Sequence, residues 1–355
     1  MGNDAVHLVN KRTLKSVMDA IAGAGSTALD ANLARAYHSE ATWRGSHPWN
    51  ELQGIDAMAR EFWTPLHQAF PDLERRDNIL IAGAYEEREY VGALGHLTGS
   101  FRRDWLGLPA SGKTIYLRYG EFHQMAAGKI VQSTVLLDVI DFMRQAGHWP
   151  LVASLGVEGL WPGPFSADGV CLCESDAAQS AASLKLTLAM QASLGAYDDA
   201  QNLGREGLLN MPQRQYWHPK MMWYGPAGSG TTRGLDGFVD GHQLPFRIAF
   251  PRNPNIPQPA SMGKHGGSHY VRIGDGRYSA TGGWPSRHML HQGAGWLGLP
   301  ATGRAVTMRV MDFYLADQGL IRENWVPIDI LNLLLQMDLD LLAKVRAQVG
   351  ARAAA

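Results

Sequence analysis

Two carboxylates stand out as candidates for acid–base chemistry. Asp312 and Glu121 each lie in a run of apolar and aromatic residues, Met308-Arg-Val-Met-Asp-Phe-Tyr314 and Arg118-Tyr-Gly-Glu-Phe-His123. A carboxyl group on the inward face of such a run is desolvated, its pKa rises, and it becomes suited to act as a general base near neutrality. The bland alternative is an ion pair with an arginine such as Arg309 or Arg118. Four histidines gather in the same half, at 265, 269, 288 and 291. The His288-x-x-His291 spacing invites a metal, but two strand residues three apart face opposite ways, and no Glu, Asp or Cys set completes a site. No metal is expected; His288 and His291 are expected as hydrogen-bonding groups of a pocket. His38 and His218 are either pocket or structural residues. Asn324, a polar residue in an apolar strand, could donate to a carbonyl or face solvent. Asp138 and Asp329 stand where a strand gives way to a helix, and a helix N-cap is the favoured role, with Asp329 kept as a candidate ligand contact. Trp43, Trp223, Trp284 and Trp296 offer either an apolar wall for a planar ligand or core packing; Trp284 is the better ligand contact.

These candidates come in pairs because the chain repeats itself. Trp105-Leu-Gly-Leu-Pro-Ala-Ser-Gly-Lys113 returns as Trp296-Leu-Gly-Leu-Pro-Ala-Thr-Gly-Arg304. His38 and Trp43-Arg-Gly45 align with His218 and Trp223-Tyr-Gly225, Gly54-Ile-Asp56 with Gly234-Leu-Asp236, and Arg118, Glu121 and Asp138 with Arg309, Asp312 and Asp329. Repetition of this kind marks a duplicated domain. The expected boundaries are 11–147 for the first domain, 148–178 for a linker rich in Trp, Pro and Gly, and 179–349 for the second.

The elements that must carry the candidates follow from periodicity. Residues 11–36 read as helix broken near Gly23 and Gly25, and Gly54–Phe70 as a helix stopped by Pro71, with Asp56 and Asp236 placed to cap its two copies. Strands are expected at 78–83, 87–99, 114–126 and 129–139, joined by glycine turns. Residues 177–209 read as helix with a stripe of Leu184, Leu188, Gln191 and Leu194, and 328–349 as a C-terminal helix. Helices first and an antiparallel meander after them make an α+β unit.

With 355 residues, 45% hydrophobic, 18% charged and a net charge of −1, the composition is that of a soluble globular protein. It offers no electrostatic footprint for nucleic acid and no membrane-spanning run. Two cysteines in a Cys171-x-Cys173 spacing form no disulfide framework, and no signal peptide is evident, so the cytoplasm is the expected compartment. The Gly225-to-Thr232 stretch lacks the lysine of a phosphate loop.

The Trp-Leu-Gly-Leu-Pro-Ala-Ser/Thr-Gly run, followed by Met308–Tyr314 and by Gly319-Leu-Ile-Arg-Glu-Asn-Trp-Val-Pro-Ile-Asp329, resembles the SnoaL-like polyketide cyclase family of the NTF2-like superfamily. The resemblance covers roughly 32–147 and 210–340. It implies two domains, each a curved antiparallel sheet with helices over it enclosing a conical pocket. It further implies a hydrophobic, oxygenated small-molecule ligand and cofactor-free acid–base chemistry: aldol cyclisation, or a related isomerisation or hydration. The family's acid is expected in the last strand, where this chain has Val135 and Val326; Asp312 and Glu121 on the preceding strand are the remaining carboxylates. Trp223, His218, Trp284, His288, His291, Arg309, Asn324, Asp329, Trp43 and His38 are the candidate substrate contacts. The alternative is a non-catalytic carrier of a hydrophobic metabolite, and a third reading is an interaction module. The second half keeps the fuller motif and is expected to hold the working pocket. The two halves are expected to pair as a pseudo-dimer, and the same sheet faces allow a homo-oligomer.

Overall fold

The computed structural model describes residues 3–196, 204–253, 255–257 and 269–353. Contacts within it divide the chain into two compact units: residues 1–150 with 166–174 and 329–355, and residues 151–165 with 175–328. The division departs from chain order. The C-terminal segment, expected in the second domain, groups with the first unit.

The first unit opens with α1 (Asn3–Ala22) and α2 (Gly25–Ala36), separated where the glycines stand. β1 (Tyr37–Gly45) and β2 (Glu51–Gln53) follow. Next come α3 (Gly54–Met58), a π-helical turn at Ala59–Trp63, and α4 (Thr64–Ala69). The expected Gly54–Phe70 helix is therefore interrupted by one wide turn. Asp56 does not cap it: Gln53 is the N-cap residue and makes no side-chain bond, leaving Asp56 as an acidic group in the first turn, where it complements the helix dipole. Then come β3 (Glu74–Tyr85), β4 (Arg88–Ser100), β5 (Thr114–Ala126), β6 (Lys129–Leu137) and α5 (Val139–Gln145). The sheet order is β2-β1-β6-β5-β4-β3. All neighbours are antiparallel except β1 and β6, which run parallel. A wholly antiparallel sheet was expected; the helices between β1 and the meander bring the chain back to lay β6 alongside β1.

The second unit repeats this order. α6 (Ala177–Ser193) and α7 (Gly204–Leu209) precede β7 (Trp217–Tyr224) and β8 (Thr231–Arg233). α8 (Gly234–Phe238), a second π turn at Val239–Gln243, and α9 (Leu244–Ala249) come next. β9 (Val271–Asp275), β10 (Tyr278–Leu290), β11 (Ala305–Asp317) and β12 (Leu320–Trp325) complete a sheet ordered β8-β7-β12-β11-β10-β9. Identical strand order with a π turn at the same place makes the duplication structural as well as sequential. The expected C-terminal helix is two, α10 (Ile330–Gln336) and α11 (Leu341–Ala353). Among the described residues no helix is long and apolar enough to cross a membrane.

On α6 the buried positions are Ser183, Thr187 and Met190, one residue out of phase with the expected leucine stripe. Polar groups therefore face the sheet. Ser183 Oγ donates to the Gly276 carbonyl at 2.8 Å, Thr187 shares a 2.7 Å bond with Ser279, and Gln191 Nε2 donates to Thr281 Oγ1 at 3.0 Å.

Candidate functional site

In each half one row of side chains crosses the sheet face that the first long helix covers. In the second half Trp223 of β7 is registered with Asn324 of β12, Asn324 with Tyr314 of β11, and Tyr314 with Ser279 of β10. In the first half Trp43, Ser133, His123 and Val91 occupy the same places. Two residues before Tyr314 and His123, and so on the same face, stand Asp312 and Glu121.

Asp312 is half-buried on β11, with protein packed closely around its carboxyl group. Burial pushes its pKa up to about 6, and hydrogen bonds from Tyr314 and Asn324 only partly offset this. Both of those partners are neutral. Tyr314 Oη in turn accepts from Gln191 Nε2 at 3.2 Å, and burial and the neighbouring Asp312 hold the phenol protonated, its pKa well above the usual value. The Asn324 amide also donates to the Phe313 carbonyl at 3.2 Å. The result is a carboxyl group with two neutral donors on it and a glutamine behind them.

Glu121 has the opposite electrostatics. Arg75 reaches across from β3 to within 2.8 Å of it and of Asp77, and His123 Nε2 lies 3.1 Å away. Burial alone would raise its pKa; Arg75 and His123 prevail and hold it at about 2. Tyr119 Oη donates to Asp77 at 2.6 Å under the Arg75 guanidinium, Lys15 of α1 pairs with Asp77 at 3.3 Å, and His123 Nδ1 lies 2.7 Å from Ser133 Oγ. Every group there already has its partner. Glu121 is therefore corrected from catalytic candidate to member of a buried ion-pair network. Its arginine is Arg75; Arg118 pairs with Asp138 and Asp141.

The valines of the last strand also find a place. Val135 is the direct cross-strand partner of Glu121, and the Phe313–Trp325 pairing carries the same register to Asp312 and Val326. Opposed residues share a face with Cβ atoms about 5 Å apart. A carboxyl at 312 thus projects into the region that an acid at 326 would serve.

The other sequence candidates disperse. Trp43 and Trp223 are buried core residues, at 4.8 Å from Phe62 and 4.1 Å from His242 between ring centres. Trp296 is core as well, edge-on to Phe250. Arg309 lies over the Trp284 ring at 4.2 Å, but it is three residues from Asp312 along β11, which turns this pair to the other face of the sheet. His38 and His218 sit at outer positions and each accepts from the backbone N–H two residues on, Glu40 and Lys220. His288 Nδ1 meets the Pro257 carbonyl at 2.9 Å, and buried His291 meets Thr302 at 3.0 Å against Phe250. His265 lies outside the described residues. Asp329 is the N-cap of α10, accepting from the backbone of Asn332 and of His47 at 3.1 and 3.0 Å; Asp138 caps α5 in the same manner. Neither carboxylate is left for a ligand. Among the described residues no three potential metal ligands gather.

Of the predicted set, the structure brings together Asp312, Asn324 and Trp223. Sequence reading missed Tyr314, Thr281 and His242. Tyr314 was within reach, since two residues beyond Asp312 in a strand means the same face. His242 had no signal, because its placement over Trp223 depends on the π turn.

Residues 17–146 match the model of the SnoaL-like polyketide cyclase family. The matched span is the first half, whose interior is saturated by ion pairs, and excludes the half that carries Asp312. Solved structures similar to the chain include a candidate SnoaL-like polyketide cyclase from Jannaschia sp. CCS1, at 20% identity over 39% of this chain and 92% of that one, TM-score 0.34. TsrD from Streptomyces laurentii aligns at 20% identity over 38% and 96%, TM-score 0.31. Wild-type IdmH from Streptomyces antibioticus aligns at 12% identity over 39% and 98%, TM-score 0.32. None of the curated proteins matches the chain by sequence. The chain carries two α+β units of the same strand order, and what residues 17–146, in the first of them, match is the SnoaL-like polyketide cyclase family.

Proposed function

We propose that the second domain is a cofactor-independent acid–base catalyst acting on a hydrophobic, oxygenated small molecule, with Asp312 as its base. The observation that carries this reading is the contrast at one register position. Glu121 is locked by Arg75, whereas the hydrogen-bond partners of Asp312 are neutral and Arg287, the smallest of the influences on it, leaves its pKa at about 6. A base in that range is ionised at neutral pH yet still a good proton acceptor. In the reaction of aldol type, Asp312 takes a proton from a carbon beside a carbonyl. The C–H electron pair passes to the carbonyl oxygen as an enolate, the carbon closes on a second carbonyl, and the proton returns to the new alkoxide. Tyr314 and Asn324, which donate to Asp312, orient its carboxylate toward the carbon acid, and Gln191 behind Tyr314 keeps the phenol in place.

Deuterium exchange tests this without the natural substrate. Linear 1,3-diketones and acylated aromatic esters are incubated in D2O and followed by NMR. Exchange at the activated carbon is expected with wild type and Glu121→Gln, to be lost by at least about a hundredfold in Asp312→Asn, and to rise with pH about an inflection near 6. Retention of such compounds with no exchange by any form would replace the enzyme with a carrier.

A further inference from the structure

The two copies differ around the tryptophan of the conserved row. Where the first half has Leu52, Phe62 and Trp63, the second has Thr232, His242 and Gln243. Phe62 and His242 are both the fourth residue of their π turn, and each lies on the tryptophan of its own half. Leu52 and Thr232 are the cross-strand partners of those same tryptophans. Leu52 and Phe62 in one copy are thus replaced by a hydroxyl and an imidazole in the other, and Trp63, whose own buried indole N–H has no hydrogen-bond partner, by an amide.

Those groups are not used by the protein. Thr232 Oγ1, His242 Nδ1 and Gln243 Oε1 are all buried, and among the described residues none has a hydrogen-bond partner. Their neighbourhood is continuous. His242 stacks on Trp223 at 4.1 Å, Thr232 is registered beside Trp223, and the backbone of Gly241 comes so close to Thr232 that a Cβ there would meet its Cγ2 at 2.5 Å. Trp223 is also the registered neighbour of Asn324, which holds Asp312. The unpaired groups therefore lie on the same sheet face as the carboxylate, one tryptophan away. Burying a polar atom without a hydrogen-bond partner is unfavourable, and Leu52 and Phe62 show that apolar side chains fit two of these places. Burial, with the nearby Arg247, keeps His242 neutral, its pKa lowered to about 3. None of the three groups bears a charge.

We propose that Thr232, His242 and Gln243 form a second polar subsite of the Asp312 pocket, which receives a neutral hydroxyl or carbonyl group at the far end of a flat ligand. The proposal rests on the second domain being the ligand-binding half. It specifies a ligand oxygenated at both ends, whose remote end carries a hydroxyl or carbonyl able to pair with a threonine hydroxyl, an imidazole and an amide.

The test uses the first copy's own residues, Thr232→Leu and His242→Phe, in the full chain. Both variants are expected to fold and to melt at or above the wild-type temperature, because they remove unsatisfied atoms. Binding is measured with emodin and with fully O-methylated emodin. Wild type is expected to prefer emodin by about tenfold or more, the equivalent of one or two hydrogen bonds, and each variant is expected to lose that preference. Loss of several degrees of melting temperature in both variants would mean that the polar atoms hold the fold together, and would overturn the proposal. So would a wild type with no preference, or variants that keep it. Asp312→Asn separates the two readings: it should keep the preference for emodin while losing proton exchange. Exchange surviving in that variant would refute Asp312 as the base and leave the subsite standing.

Discussion

At the scale of single residues, the chain sets two carboxyl groups at one register position and gives them opposite fates. Asp312 keeps its proton to about pH 6 in the folded protein and to about 3.8 in the unfolded chain. Between those values the folded state binds more protons, so its stability falls as pH rises. Asp312→Asn removes that decline, and in paired thermal melts the variant should gain on wild type between pH 4 and pH 7, by up to about 3 kcal/mol. Glu121 is the reverse, at about 2 folded against 4.5 unfolded. Its contribution is complete above pH 4.5 and is lost as pH falls towards 2. Glu121→Gln leaves Arg75 buried with one partner fewer, and denaturant titration at pH 7 should show a loss of roughly 3–5 kcal/mol, shrinking below pH 4.5. The pairing of Asp312 with Glu121 was legible in the sequence, because the repeat aligns them. The partner that decides the fate of Glu121 was not. Arg75 stands two strands away across β4, and nothing in the local run around Glu121 points to it.

At the scale of elements, strands and long helices were legible from periodicity, while the wide turns and the phase of α6 were not. A π turn is set by how a helix meets the sheet beneath it, and the run Val239-Asp-Gly-His-Gln243 carries no local signature of one. Gln191 of the expected stripe does face the sheet, but Ser183 and Thr187 are buried in place of Leu184 and Leu188, because the β9–β10 turn offers a carbonyl and β10 two hydroxyls. The tryptophans are fixed by a device that the repeat does display, the glycine two residues on. A Cβ at Gly225 would lie 2.2 Å from the Trp223 ring, and one at Gly45 2.1 Å from that of Trp43. Gly225→Ala should therefore displace Trp223, lowering stability by about 1–3 kcal/mol, with a matching change in tryptophan fluorescence; unchanged fluorescence and stability would refute the packing described. Asp329, half-expected as a ligand contact, is a helix cap, and Asp329→Ala should cost about 1–2 kcal/mol in a denaturant titration while leaving proton exchange untouched.

At the scale of the whole molecule, one copy sets an ion pair at the register position where the other sets a carboxyl held up by burial. The family match and the proposed base reside in different halves: the match spans 17–146, and Asp312, Tyr314 and His242 lie beyond it. One site per chain follows, so calorimetry with a flat oxygenated probe should give a stoichiometry near one and not two, and Glu121→Gln should leave that number unchanged. Asp312 is a carboxyl poised by burial, which outweighs its two neutral donors and the charge of Arg287. The most direct measurement is an NMR titration of 13C-labelled aspartate carboxyls in wild type and Asp312→Asn. One resonance with a midpoint near pH 6, absent from the variant, is the predicted result. A resonance assigned to Asp312 that titrates at or below the ordinary aspartate value would contradict the account, for it would mean an unseen cation holds this carboxylate as Arg75 holds Glu121.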